Sequence, residues 1–191
     1  MTKSILLVGV GGQGTILASK ILTIGLMEAG YDVKMSEIHG MSQRGGAVSS
    51  QVRYGEKVFS PVIEKGGADV LVSFEQMEAL RWLEYMKPDA KAVVNSQIIK
   101  PVPVILGKAE YSGKILDEVR AKVSATVLDA HAEAAALGNA KALNILLVGA
   151  AVKIMQLESI GWNNIIGENV KKAFVEVNQK AFARGMELVS H

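Results

Sequence analysis

Two stretches of this chain carry residue types that could do chemistry. The first is Gly9-Val10-Gly11-Gly12-Gln13-Gly14, which fits G-x-G-x-x-G. Glycines at this spacing let backbone N–H groups converge on an anion at the start of a helix. The second is Glu37-Ile38-His39-Gly40-Met41-Ser42-Gln43-Arg44-Gly45-Gly46. It gathers a carboxylate, an imidazole, a hydroxyl, an amide and a guanidinium around backbone-permissive glycines. Arg44 next to Gly45 and Gly46 suits a phosphate, a carboxylate or a partner's backbone.

Each stretch also has a plain structural reading. The glycines could form a tight strand-to-helix turn with no ligand, and Arg44 could sit in a solvated ion pair. Context favours function. The glycines follow an apolar run, Ile5-Leu6-Leu7-Val8, and precede an amphipathic stretch, which is the setting the motif requires. Gly9 and Gly11 are read as the positions that need unusual backbone or close approach, and Gly14 as the one that lets helix pack on strand. The acid that reads a ribose in dinucleotide folds is hard to place. Glu37 is the nearest candidate and Asp32 comes too early, so a simple NAD enzyme is poorly supported.

Other candidates are weaker. His131 follows an expected strand and reads as a polar residue at a helix start. His191 is the last residue. Asn95-Ser96 sits at a strand end and is explained by turn chemistry. Met41, Met77 and Met86 read as core or interface filler. No histidine pair has metal-ligand spacing, and no nucleophile elbow is present.

The elements that must position these groups alternate. Strands are expected at 4–8, 32–38, 47–54, 68–74, 91–95 and 126–129, with a hairpin return at 58–59 and an extended piece at 102–106. Helices are expected at 13–29, ending at Gly30, and at 75–86, 117–122, 130–137, 140–158 and 168–189. Residues 162–167 are read as a mere separator. This order implies an α/β fold: a Rossmann-like, open, mostly parallel sheet with flanking helices and a helical C-terminal region, one domain over 1–191.

The 191 residues carry 21 basic and 19 acidic side chains, for a formal charge of +2. That balance makes no electrostatic case for nucleic acid or an anionic membrane. There is no cysteine, so zinc-thiolate and cysteine-ligated iron–sulfur sites are excluded within the chain. The apolar run at 145–152 is too short to span a bilayer. With no visible leader, the expected location is the cytoplasm.

The glycine motif and the Glu37–Gly46 motif together resemble the gamma-type domain of 2-oxoacid:ferredoxin oxidoreductases, nearest to the small subunits of the indolepyruvate enzymes. Gly138-Asn139-Ala140 through Asn144 to Gly149-Ala150 is similar to that family's late helical region. The resemblance implies a subunit of an enzyme that decarboxylates a 2-oxoacid oxidatively, with coenzyme A as acyl acceptor and ferredoxin as electron acceptor. It places thiamine diphosphate and the iron–sulfur clusters on partner subunits. The chain has no cysteine and no Gly-Asp-Gly triplet, which agrees. Under this reading no residue is catalytic and no cofactor is held by the chain alone. Gly9, Gly11, Gly12, Gln13, Gly14, Glu37, His39, Gly40, Ser42, Gln43, Arg44, Gly45 and Gly46 shape an interface site facing the catalytic subunit, where the substrate or coenzyme A approaches. A self-sufficient NAD(P) or flavin enzyme and an empty scaffold are the competing readings.

Overall fold

The computed structural model describes residues 1–39 and 45–189. Six strands form one sheet: β1 (Lys3–Val10), β2 (Asp32–His39), β3 (Ala47–Gly55), β4 (Ala68–Ser73), β5 (Met86–Asn95) and β6 (Ser124–Leu128). The spatial order is β2-β3-β1-β4-β5-β6. β1, β4, β5 and β6 pair in parallel, while β3 lies antiparallel to both β1 and β2. Five strands therefore point one way and β3 alone points back. The expected mostly parallel sheet is present, with one departure: β3 is inserted between β1 and β2.

β1 is apolar without alternation because it is covered on both faces. Ile5 and Leu7 join one core with helices α1 (Thr15–Glu28) and α6 (Leu143–Met155). Leu6 and Val8 join a second core that includes Ala79 of helix α2 (Gln76–Arg81) and Val119 of helix α4 (Ile115–Lys122). In α1 the residues Ala18, Ile21, Leu22, Gly25 and Leu26 are buried, the spacing of one helical face. Gly30 ends that helix as expected. It has φ +87, and the Tyr31 N–H donates to the Leu26 carbonyl at 3.1 Å, the 6→1 bond of a glycine C-cap.

Several expectations are corrected. Val58 and Phe59 form no return strand. The 75–86 helix is shorter: α2 ends at Arg81, a 3₁₀ turn spans Leu83–Tyr85, and Met86 opens β5. Residues expected to be extended at 102–106 hold helix α3 (Val102–Ile105). Helix α5 (Ala130–Ala136) is as expected. The separator at 162–167 is itself helical, α7 (Trp162–Asn169), followed by a break before α8 (Val175–Val189). The reason is tertiary: Trp162 is buried against Gly25 of α1, where any Cβ would collide with its ring.

Candidate functional site

Open α/β sheets bind ligands at the carboxyl ends of their strands, where the connections diverge. Here that point lies between β1 and β4. The glycine loop sits on it, but the division of labour among its residues differs from the sequence reading. β1 runs through Gly9 and Val10, so Gly9 is a strand residue paired with Val48. The left-handed positions are Gly12 (φ +105) and Gly14 (φ +87), not Gly9 and Gly11. Gly9 is needed for close approach: an added Cβ would stand 2.9 Å from the Phe74 Cβ.

Gln13 is turned into the protein. Its Oε1 accepts from the Val10 N–H at 2.8 Å, and its Nε2 donates to the Phe74 carbonyl at 2.9 Å and to Gln97 Oε1 at 3.0 Å. It bridges the ends of β1 and β4 and holds the loop rather than projecting toward a ligand. Gly14 also has a different purpose from the one expected. Its Cβ would lie 2.5 Å from Asn144 Nδ2, so it admits helix α6 rather than packing α1 on its strand. No side chain caps the first turn of α1.

The two motifs meet. The Gly11 N–H donates to the Gly46 carbonyl at 2.8 Å, and the Gly45 N–H donates to the Gly11 carbonyl at 3.3 Å. These bonds carry the β1–β3 ladder past its last strand pair. The 39–45 connection therefore starts at the tip of β2 and returns beside the glycine loop. Gly40, Met41, Ser42, Gln43 and Arg44 lie outside the described residues, as does His191.

Glu37 and His39 stand at the tip of β2. Ser19 Oγ of α1 donates to Glu37 Oε1 at 3.0 Å, and His39 Nε2 lies 3.6 Å from Glu37 Oε2. Glu37 thus ties the strand end to α1 and steadies the root of the polar connection. Because β3 intervenes, β2 is two strand spacings from β1, about 10 Å. That displacement argues against Glu37 as the ribose acid of a dinucleotide site.

Glu75 was not anticipated from sequence. It is 1% exposed and caps α2 by accepting the Glu78 N–H at 3.0 Å through Oε2. Its Oε1 accepts the Ile99 N–H at 3.2 Å and the Tyr111 hydroxyl at 3.0 Å. The available signal was an acid immediately after a buried strand, an N-cap position. Asn95 is fully buried, donating to the Phe74 carbonyl at 3.0 Å and accepting the Ala130 N–H at 3.1 Å. Its role is structural, but as a buried tie between distant chain segments rather than through the local turn chemistry expected. His131 lies exposed in the first turn of α5, which Asp129 caps.

Beside Glu75, burial pushes the Glu78 carboxyl above its ordinary 4.5, while the Arg81 guanidinium pulls it down and Glu75 pushes it up. A carboxyl raised by folding favours the fold most when protonated. That contribution is full below the ordinary value and is lost as pH rises through the raised one. Glu78→Gln removes the titration. In urea melts the variant is expected to gain stability relative to wild type as pH rises above the ordinary carboxyl value of 4.5. An unchanged difference would place Glu78 in water.

Among the described residues, no group of three or more His, Asp or Glu side chains could hold a metal ion. No described helix is long and apolar enough to cross a membrane.

The model of the pyruvate ferredoxin/flavodoxin oxidoreductase family matches residues 4–188. The chain belongs to that family. A relative named indolepyruvate oxidoreductase subunit IorB, from Pyrococcus horikoshii, is 36% identical over 96% of this chain and 94% of its own length. The IorB of Archaeoglobus fulgidus is likewise 36% identical, over 97% and 94%. More distant is the 2-oxoglutarate synthase subunit KorC of Methanocaldococcus jannaschii, 27% identical over 98% and 94%. The fold is shared with a keto/oxoacid ferredoxin oxidoreductase gamma subunit from Geobacter sulfurreducens. That structure has a TM-score of 0.73 and 23% identity, and 98% of each chain is covered. It is shared too with a 2-oxoglutarate:ferredoxin oxidoreductase chain from Magnetococcus marinus, solved with 2-oxoglutarate, coenzyme A and succinyl-CoA. There the TM-score is 0.77 at 18% identity, over 99% of this chain and 31% of that one. The family resemblance read from the two glycine motifs is thereby confirmed.

Proposed function

We propose that this chain is the small, gamma-type subunit of a 2-oxoacid:ferredoxin oxidoreductase whose substrate is indolepyruvate or a related aryl 2-oxoacid. The supporting observation is the joining of its two glycine motifs at the carboxyl edge, in a chain 36% identical nearly end to end to subunits named for indolepyruvate. The overall reaction removes carbon dioxide from the 2-oxoacid, transfers the acyl group to the coenzyme A sulfur and passes two electrons to ferredoxin.

Thiamine diphosphate and iron–sulfur clusters belong to the partner subunit under this reading, and they supply the carbanion and electron chemistry. This chain has no thiolate ligands to offer a cluster. Its own work is binding and orientation. The backbone of Gly11, Gly12 and Gly14 and the Gly45-Gly46 return form one rim of an interface site. Gly40, Ser42 and Gln43 add polar contacts, and Arg44 clamps a phosphate of coenzyme A. Glu37 and His39 hold the base of that connection. The inward-turned Gln13 and the displaced Glu37 count against a self-sufficient NAD(P) or flavin enzyme.

Co-expression with the thiamine-diphosphate subunit tests the reading. Turnover is expected from the complex and not from this chain alone; turnover by the isolated chain would overturn it. Within the complex, Arg44→Ala should raise the KM for coenzyme A about tenfold or more, the usual cost of a lost charge-assisted bond. The kcat should change little, because the contact acts equally in ground and transition states. An unchanged KM would remove Arg44 from the site.

A further inference from the structure

Helix α7 ends at Asn169, and the backbone runs extended through Val170 and Lys171 before α8 begins. This break faces the 137–142 turn and Leu17 of α1 across a groove of about 810 Å³. We infer that this groove receives an extended, acid-bearing segment of the partner subunit's polypeptide. The inference rests on the subunit reading above and names a docking surface for it.

Two asparagines that line the groove bear on the ligand class. Asn178 is 7% exposed, and its Nδ2 donates to the Phe174 carbonyl at 2.8 Å. Asn169 Nδ2 donates to the Ile165 carbonyl at 2.9 Å. A carbonyl only accepts, so in both residues the amide nitrogen faces its own helix and the oxygen is left free to accept. Neither oxygen has a partner among the described residues. Two of the lining asparagines thus keep an oxygen free to accept N–H groups, whereas Asn144, which also lines the groove, spends its oxygen on the Ile145 N–H at 2.8 Å. The walls include Leu17, Val177 and the half-exposed Phe174. At the rim stand Lys141 and Lys171, both exposed and unpaired among the described residues. No carboxylate lines the groove.

Free asparagine acceptors, apolar walls and ammonium groups together match a polypeptide. Its backbone N–H groups meet the asparagines, its side chains fill the walls, and its carboxylate meets the lysines.

The test uses the co-purified complex with the thiamine-diphosphate subunit. With p-benzoylphenylalanine in place of Phe174, irradiation should give a cross-link that maps to a segment of the large subunit containing Asp or Glu. A variant combining Lys141→Glu and Lys171→Glu, both at exposed positions, should raise the dissociation constant between subunits at least tenfold. Wild-type affinity in that variant with no cross-link at 174 would overturn the docking surface and leave the subunit reading intact. A cross-link to coenzyme A, or protection of position 174 by coenzyme A alone, would overturn it in favour of a small ligand. Failure of the two wild-type subunits to associate would sink both readings.

Discussion

Gly185→Ala is expected to destabilise the chain by about 3 kcal/mol, at the upper end of overpacking costs. Helix propensity alone predicts the opposite sign, since alanine in a helix interior is better than glycine by about 1 kcal/mol. The difference comes from the crossing of α6 and α8. A Cβ on Gly185 would land on the Leu146 carbonyl oxygen, and a Cβ on Gly149 would land on the Phe182 carbonyl oxygen. The two backbones touch at these paired glycines, with Ala150 and Ala181 fully buried beside them. Any side chain must push the helices apart and open gaps around Ile145 and Leu146. Urea denaturation reads the effect directly. A stabilised Gly185→Ala variant would show that the helices do not approach this closely in solution.

Glu75→Ala should cost a further comparable amount, about 3 kcal/mol, because it leaves one buried and two part-buried donors without their acceptor. The Glu78 N–H, the Ile99 N–H and the Tyr111 hydroxyl all converge on this carboxylate. Burial pushes the Tyr111 phenol well above its ordinary 10.0, and Glu75 adds to the rise, so the hydroxyl stays protonated and donates. The residues couple in a measurable way. Tyr111→Phe removes one orphaned donor, so the double variant should lose less stability than the two single losses added together. The coupling should be about 1 kcal/mol. Simple additivity would mean that the phenol does not depend on Glu75. Because Ile99 and Tyr111 lie in the 96–114 segment beyond β5, hydrogen exchange should rise there while the β1–β3 ladder stays protected.

These expectations show where local pattern and packing part. The glycine loop, its strand and its helix were legible because their signals are local: an apolar run, glycines at set spacing, then a helical periodicity ended by Gly30. The polar connection after β2 was legible as a motif for the same reason, and both motifs together carried the family. Individual roles were not. Gly14 looked like a helix–strand contact, yet its neighbour is Asn144, 130 residues away. Gln13 looked like a ligand contact, yet it bridges strand ends. Residues 162–167 carry Trp162, Ile165 and Ile166 at helical spacing, but the segment lies between Gly161 and Gly167 and is short enough to read as a separator; burial of all three, with Trp162 seated on Gly25, holds the helix there.

The sequence by itself determined the α/β class, the absence of thiolate chemistry, the two glycine motifs and the family. Those follow from composition and from contacts within a turn or two along the chain. Only the tertiary structure decided that β3 separates β1 from β2, that Gly11 and Gly46 join the motifs, and that Glu75 anchors the far side of the edge. It alone placed the asparagine-lined groove between α7, α8 and the 137–142 turn. Each of these depends on which distant backbone comes within hydrogen-bond reach, and pairing across long separations leaves no periodic trace in the residues themselves.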